Sequence, residues 1–224
     1  MIKVKDMITD LKYIALKRWT TYSNTFPKNC GYIWPNGCMS FDCIGLVKSY
    51  INYPKIAYKT KPAGFYVKPG TVIPDVSGLG IMQLCTKRSN NFKSIPVGSY
   101  LLYEDYDHGA IYVGDFKDES GIVNVIECCL DPVGCGVTTS YIDKYGRRLD
   151  HAGGTVMGNW IEHGLLTRYV DYSDIKPKKK SINAIAKEVI AGKWGNYPER
   201  KTKLEKAGYN YDKVQAAVNQ MLQK

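Results

Sequence analysis

The residues most able to do chemistry in this chain are a cysteine, a histidine and a glutamate on three separate segments. Cys43 lies in "SFDCIGLVKSY", where it follows Asp42 and opens an apolar run of helical period, with Ile44, Val47 and Ile51 on one stripe. A thiol at a helix N-terminus sits in a field that favours its anion, which suits a nucleophile. A free cysteine is equally at home as a small buried hydrophobe, and alone Cys43 reads that way. A nucleophilic thiol needs an imidazole to exchange its proton and a third group to orient that imidazole. His108 opens "HGAIYVGDF", and Glu127 ends "GIVNVIE", both strand-like runs. Antiparallel pairing of these runs brings the two side chains together on one face. A carboxylate among strand apolars also requires a partner. His151 and His163 fall in the turn-like stretches "DHAGG" and "EHGLL" and read as surface or structural residues.

The elements that must position these groups change character along the chain. Met7, Leu11, Ile14 and Ala15 recur at helical spacing, so the N-terminus reads as an amphipathic helix. Thr25 to Ser40 reads as a Gly-, Asn- and Pro-rich loop. The helix opened by Cys43 ends at Tyr53-Pro54. Residues 55–80 read as a long loop, with one short helix near "GIMQLCTKRS". Then follow "SYLLYE", "GAIYVGDF", "GIVNVIECC" and "GVTTSYI", β-rich runs separated by turn residues, and "RYVDY" as a last strand. Helices first and an antiparallel sheet after is an α+β order. "DYSDIKPKKKSIN", with its run Lys178–Lys180, marks a boundary. Beyond it "INAIAKEVIAGKWG", "YPERKTKLEKAGY" and "YDKVQAAVNQML" read as three short helices. Gly195 and Gly208 stand at helix ends, with Pro198 and Asp212 at starts.

With 224 residues, 44% of them hydrophobic, the chain can form one sizeable domain plus a small one. The formal net charge of +10 draws it towards polyanions such as nucleic acid, anionic membrane or acidic wall polymers. The lysines are spread thinly and no nucleic-acid motif is present, so a nucleic-acid partner is not expected. Seven cysteines leave one over from any complete pairing. No CxxC or His-x3–5-His spacing marks a zinc site, and free thiols fit synthesis in a reducing compartment. No metal or cofactor is expected. The start "MIKVKDMITDLKYIALKRW" is broken by charges and lacks the roughly 7–15 apolar residues of a signal-peptide core. Nothing approaches the ~20 apolar residues of a membrane span. The expectation is synthesis in the cytoplasm, no membrane insertion and action elsewhere only after release.

Phe41-Asp42-Cys43-x-Gly45-Leu46-Val47 resembles the Asp-Cys-x-Gly-Leu-Val signature of NlpC-type, papain-like peptidases. His108-Gly-Ala-Ile-Tyr-Val-Gly114 is similar to their histidine strand. A phage and clostridial branch of these enzymes also carries "NCGY", "VVEC" and "WxxHGKLPxVDY" in the same order. Here the order is Asn29-Cys-Gly-Tyr32, Val125-Ile-Glu-Cys128, then Trp160-Ile-Glu-His-Gly-Leu-Leu166 through Asp171-Tyr172. The resemblance implies a thiol hydrolase of peptidoglycan stem-peptide amides, with Cys43 as nucleophile, His108 as base and Glu127 as orienting residue, as in the CHAP-type amidases. The oxyanion would be met by backbone N–H at Cys43, with Tyr32 as a further donor. "CCLDPVGCG" departs from the tryptophan-containing loop of those relatives, on the substrate-facing rim.

The tail "INAIAKEVIAGKWGNYPERKTKLEKAGYNYDKVQAAVNQ" resembles the CW-seven type cell-wall-binding repeat, a binder of the muropeptide backbone. Asn183 and Tyr197-Pro198 are its departures. Trp194, Arg200 and Tyr209 offer stacking and hydrogen bonds to sugar and carboxylate. In a bundle this small, Trp194 and Tyr209 equally suit the core. The combined expectation is a monomeric, endolysin-like peptidoglycan hydrolase of α+β class. Residues 1–173 would form a papain-like domain with N-terminal helices packed on an antiparallel sheet. A basic linker at 174–181 would join it to a three-helix wall-binding module at 182–224. Endopeptidase action is expected, with N-acetylmuramoyl-L-alanine amidase and a non-catalytic wall-binding protein as alternatives, and bacterial peptidoglycan as the partner.

Overall fold

The computed structural model describes residues 1–54, 61–131, 134–175 and 180–223. Its two compact units are Met1–Lys176 and Pro177–Lys224. The core of the sequence-predicted linker, 176–179, lies outside the described residues, as do 55–60 of the predicted long loop.

The first unit runs β1 (Ile2–Lys3), α1 (Val4–Lys17), β2 (Thr20–Tyr22), β3 (Cys30–Ile33), β4 (Met39–Phe41), α2 (Cys43–Asn52) and α3 (Gly78–Leu84). It continues through β5 (Thr86–Ser89), β6 (Tyr100–Tyr103), β7 (Gly109–Lys117), β8 (Ile122–Asp131), β9 (Gly134–Ile142), β10 (Arg147–Leu149), β11 (Val156–Leu165) and β12 (Val170–Asp171). Strands β6 to β11 pair with their neighbours, all antiparallel. β11 then pairs back onto β6, with Trp160 opposite Tyr103, so the sheet closes. β5 extends the wall beside β11. β2, β3 and β4 form a separate small sheet.

This closed six-strand antiparallel barrel overturns the papain-like α+β expectation of an antiparallel sheet with helices laid against it. The strands themselves explain why. Successive residues are buried on both faces: Leu101 and Leu102, Ala110 and Ile111, Val125 and Ile126 are each at most 1% exposed. One alternating set, Leu101, Ala110, Val125, Ile142 and Trp160, packs together in the barrel interior. The other, including Tyr100, Leu102, Ile111, Ile126 and Cys128, packs outward against α1, α2 and α3. A strand with two apolar faces needs two covers, and barrel closure supplies one of them. α1 contributes Val4, Met7, Leu11 and Ile14 to the outer layer, one stripe at helical spacing.

The second unit holds α4 (Ile182–Ile190), α5 (Glu199–Lys206) and α6 (Tyr211–Leu222). Ser181 caps α4 and Asn210 caps α6, each side chain accepting a first-turn N–H. Gly208, at φ +81°, ends α5 in the left-handed region, and Tyr209 N–H closes back on the Leu204 carbonyl at 2.9 Å. Ile185, Ala186, Val189, Leu204, Val214, Ala217 and Val218 make the core.

Candidate active site

Cys43 is the first residue of α2, and the local sequence fixes it there. Asp42 is the N-cap, its Oδ1 accepting from Gly45 N–H, while its Oδ2 accepts from Asn29 Nδ2 at 2.7 Å. The short β4 delivers the chain to this cap from the small sheet. Residue 45 has to be glycine, because a Cβ there would stand 1.9 Å from the Asn29 carbonyl oxygen. The Asp-Cys-x-Gly spacing is thus a cap, a thiol on the first turn and a close backbone contact.

His108 immediately precedes β7. Asp105 Oδ1 accepts from the N–H of Asp107 and of His108, at 3.0 and 2.9 Å, folding the β6–β7 turn. Gly109 follows because Tyr100 Oη occupies the place of its Cβ, at 2.1 Å. Register pairs Ala110 with Glu127, so His108 and Glu127 are diagonal neighbours on the interior face. Glu127 Oε2 lies 2.5 Å from His108 Nε2. The imidazole stacks on Trp160, with centroids 5.5 Å apart, and meets the edge of Tyr103. Cys43 Sγ lies 3.5 Å from the Asp107 carbonyl oxygen, beside the same turn. With Nε2 engaged by Glu127, Nδ1 is the ring nitrogen left to exchange a proton with the sulfur.

Glu127 is fully buried. Burial opposes its ionisation, but the His108 and Arg148 cations prevail and hold it down at about 2. Burial likewise opposes the His108 cation. The Cys43 sulfur and the Glu127 carboxylate outweigh that and push it up to about 9.

Arg148, on β10, completes the cluster, its Nε 3.0 and 3.1 Å from the two Glu127 oxygens and its Nη2 3.0 Å from Oε2. Sequence reasoning missed it. The available signal was the need of a strand-buried carboxylate for a cation, and "YGRRLD" offers two.

Cys43, His108 and Arg148 line a cleft of about 890 Å³, together with Tyr22, Tyr103, Cys129 and Val156 among others, and Glu127 lies buried behind them. Tyr22 lines it, while Tyr32 does not and instead packs edge-on against Trp34, centroids 5.3 Å apart. His163 lies not in a turn but on β11, buried, with Nε2 3.2 Å from the Asn91 carbonyl. Exposed His151 pairs with Asp150.

In the second unit Trp194 and Tyr209 meet edge to face, centroids 6.2 Å apart, and both pack on the helical core. Trp194 Nε1 donates to Glu188 at 3.1 Å. Arg200 Nη2 donates to Gln215 Oε1 at 3.2 Å, and its Nε is buried with no partner among the described residues.

The CW_7 repeat, a cell-wall-binding repeat, matches residues 183–222, from the first turn of α4 to the end of α6. No curated protein and no solved structure matches the chain. The tail thus carries a cell-wall-binding repeat, which is consistent with peptidoglycan binding.

Proposed function

We propose that the first unit is a cysteine hydrolase that cuts an amide bond in the peptidoglycan stem peptide, delivered to its substrate by the wall-binding tail. The observation that carries this reading is that Cys43 and His108 line one cleft while the buried Glu127 carboxylate holds the far ring nitrogen of His108 at 2.5 Å. The Cys43 sulfur attacks the amide carbonyl, and the oxyanion forms beside the first-turn N–H groups of α2. His108 Nδ1 gives its proton to the leaving amine, whose C–N bond breaks to leave a thioester. Water, deprotonated by the same nitrogen, then hydrolyses the thioester and restores the thiol. Endopeptidase cleavage is the reading preferred. The chain would act at the wall once released from the cell that made it, as a lysis enzyme does.

Mass spectrometry of fragments from purified walls tests this. The expected result is new amino and carboxyl termini within the stem peptide, absent with Cys43→Ala. Fragments with a free lactyl carboxyl and a free L-alanine amine would make the enzyme an amidase instead. Wall binding with no fragments beyond the Cys43→Ala background would leave a non-catalytic wall-binding protein.

A further inference from the structure

We propose that Arg148 is a positioning residue that sets the proton balance of the Cys43–His108 pair by acting through Glu127. The inference rests on the hydrolase reading for its purpose, but not for its physics.

Two facts separate Arg148 from an ordinary buried ion pair. First, its guanidinium meets both oxygens of Glu127 through two nitrogens, Nε at 3.0 Å from Oε1 and 3.1 Å from Oε2, and Nη2 at 3.0 Å from Oε2. A planar two-point contact fixes the carboxylate plane as well as its place. That plane directs Oε2 at His108 Nε2, while Trp160 and Tyr103 confine the ring from its face and edge. Second, Arg148 is the one permanent cation among the described residues that line the cleft. Apart from His108, the other titratable groups there are acids: Tyr22 of β2, Tyr103 of β6, Cys128 and Cys129 of β8, Cys43 of α2, and the carboxyl groups of Asp105, Asp107 and Asp150.

With Arg148 present, a thiolate, an imidazolium, a carboxylate and a guanidinium sum to zero. Without it, the same site carries a net negative charge in a poorly solvated place, and every proton there is held more tightly. The sign is the same for the imidazole and the thiol. Losing the guanidinium therefore displaces the whole working range towards alkali, whereas loss of shape alone would lower the rate at an unchanged pH. A lysine at 148 keeps the charge but not the two-point grip, so it separates the two contributions.

The test is the NMR titration of the histidine rings, of which there are three, in the wild type, Arg148→Gln and Arg148→Lys. The pH dependence of Cys43 alkylation is followed in parallel. In Arg148→Gln, His108 should titrate higher by about one pH unit or more, the scale of a neighbouring charge, and the alkylation profile should move the same way. In Arg148→Lys both should stay near wild type while wall digestion slows. His163 and His151 should not move. An unchanged His108 in Arg148→Gln, or equal shifts in both variants, overturns the proposal.

Should Arg148→Gln not fold, Glu127→Gln is compared with the neutral pair Glu127→Gln/Arg148→Gln. His108 must titrate lower where the Arg148 cation stands alone, and equal values overturn the proposal. A wild type that releases no wall fragments defeats the hydrolase reading, yet these titrations still decide what Arg148 does.

Discussion

Gly45 lies so close to Asn29 that a methyl group on its Cα would stand 1.9 Å from the Asn29 carbonyl oxygen and 2.7 Å from Asp42 Oδ1. The obstacle is backbone and cap together, and neither yields as a flexible side-chain tip does. Gly45→Ala should therefore destabilise the first unit by about 1–3 kcal/mol, the usual scale of overpacking. It should also displace the first turn of α2, and with it the Cys43 sulfur. Thermal melts and wall digestion check this. A variant as stable and active as the wild type would mean the turn is looser than its packing indicates.

Iodoacetamide at low stoichiometry and neutral pH should modify Cys43 ahead of the other cysteines. The seven cysteines are thiols and not disulfides. Burial pushes Cys30 up to about 11 and Cys85 up to about 12, and it raises Cys128 well above the ordinary thiol value. Alkylation follows the thiolate, so these three should be nearly inert. Cys135 is exposed and is the competitor, but it lacks both the helix start and the imidazolium that Cys43 has. A peptide map with Cys135 modified first would remove the special status of Cys43.

The His108–Glu127 contact should also show in stability. His108 is raised in the fold from the ordinary 6.5 to about 9. Its contribution is complete below pH 6.5 and is lost as pH rises through 9. Glu127 is lowered from 4.5 to about 2, so its contribution is complete above pH 4.5 and is lost as pH falls through 2. Both views of this one ion pair agree on a plateau between pH 4.5 and 6.5. Melting temperature should fall on either side of it, and Glu127→Gln should flatten the alkaline slope. The same slope in Glu127→Gln and wild type would assign it to other groups.

The three catalytic candidates were legible in the sequence because each lies beside a local rule. Cys43 follows an N-cap residue, while His108 and Glu127 flank strand runs rich in β-branched residues. Closure of the barrel was not legible. It depends on β10 and β11, and β11 reads "VMGNWIEHGL", where Gly158, Asn159 and Gly164 imitate a turn. Gly158 is there because Tyr103 Oη fills the place of its Cβ, at 1.7 Å, a contact made between distant parts of the chain. Without β10 there is no reason to single out Arg148 over Arg147, which instead pairs with Asp143 at the surface. The loop predicted for Thr25 to Ser40 hides β3 and part of β4, four and three residues long, too short for a pattern to show. The tail differs because its helices are capped locally by Ser181 and Asn210, within reach of short-range reasoning.

Binding by the tail can be separated from simple charge attraction. The chain carries a net charge of +10, so some adhesion to anionic wall polymers is expected at low salt. That adhesion should fade as salt rises, since exposed charges are screened within about 8 Å at physiological ionic strength. Recognition of the muropeptide itself should survive both high salt and removal of the anionic polymers. The full chain carrying Cys43→Ala, to prevent digestion, should therefore still sediment with polymer-stripped walls at high salt. Arg200→Ala in that background should weaken the binding several-fold. Arg200 spends one Nη2 donor on Gln215, so a ligand carboxylate or carbonyl would be met by the remaining Nη hydrogens of its planar fork. Trp194→Ala should instead lower the stability of the second unit together with binding, because Trp194 packs on its core and donates to Glu188. Circular dichroism of both variants keeps the two effects apart. Loss of all binding to stripped walls in the Cys43→Ala chain would reduce the tail to a basic anchor.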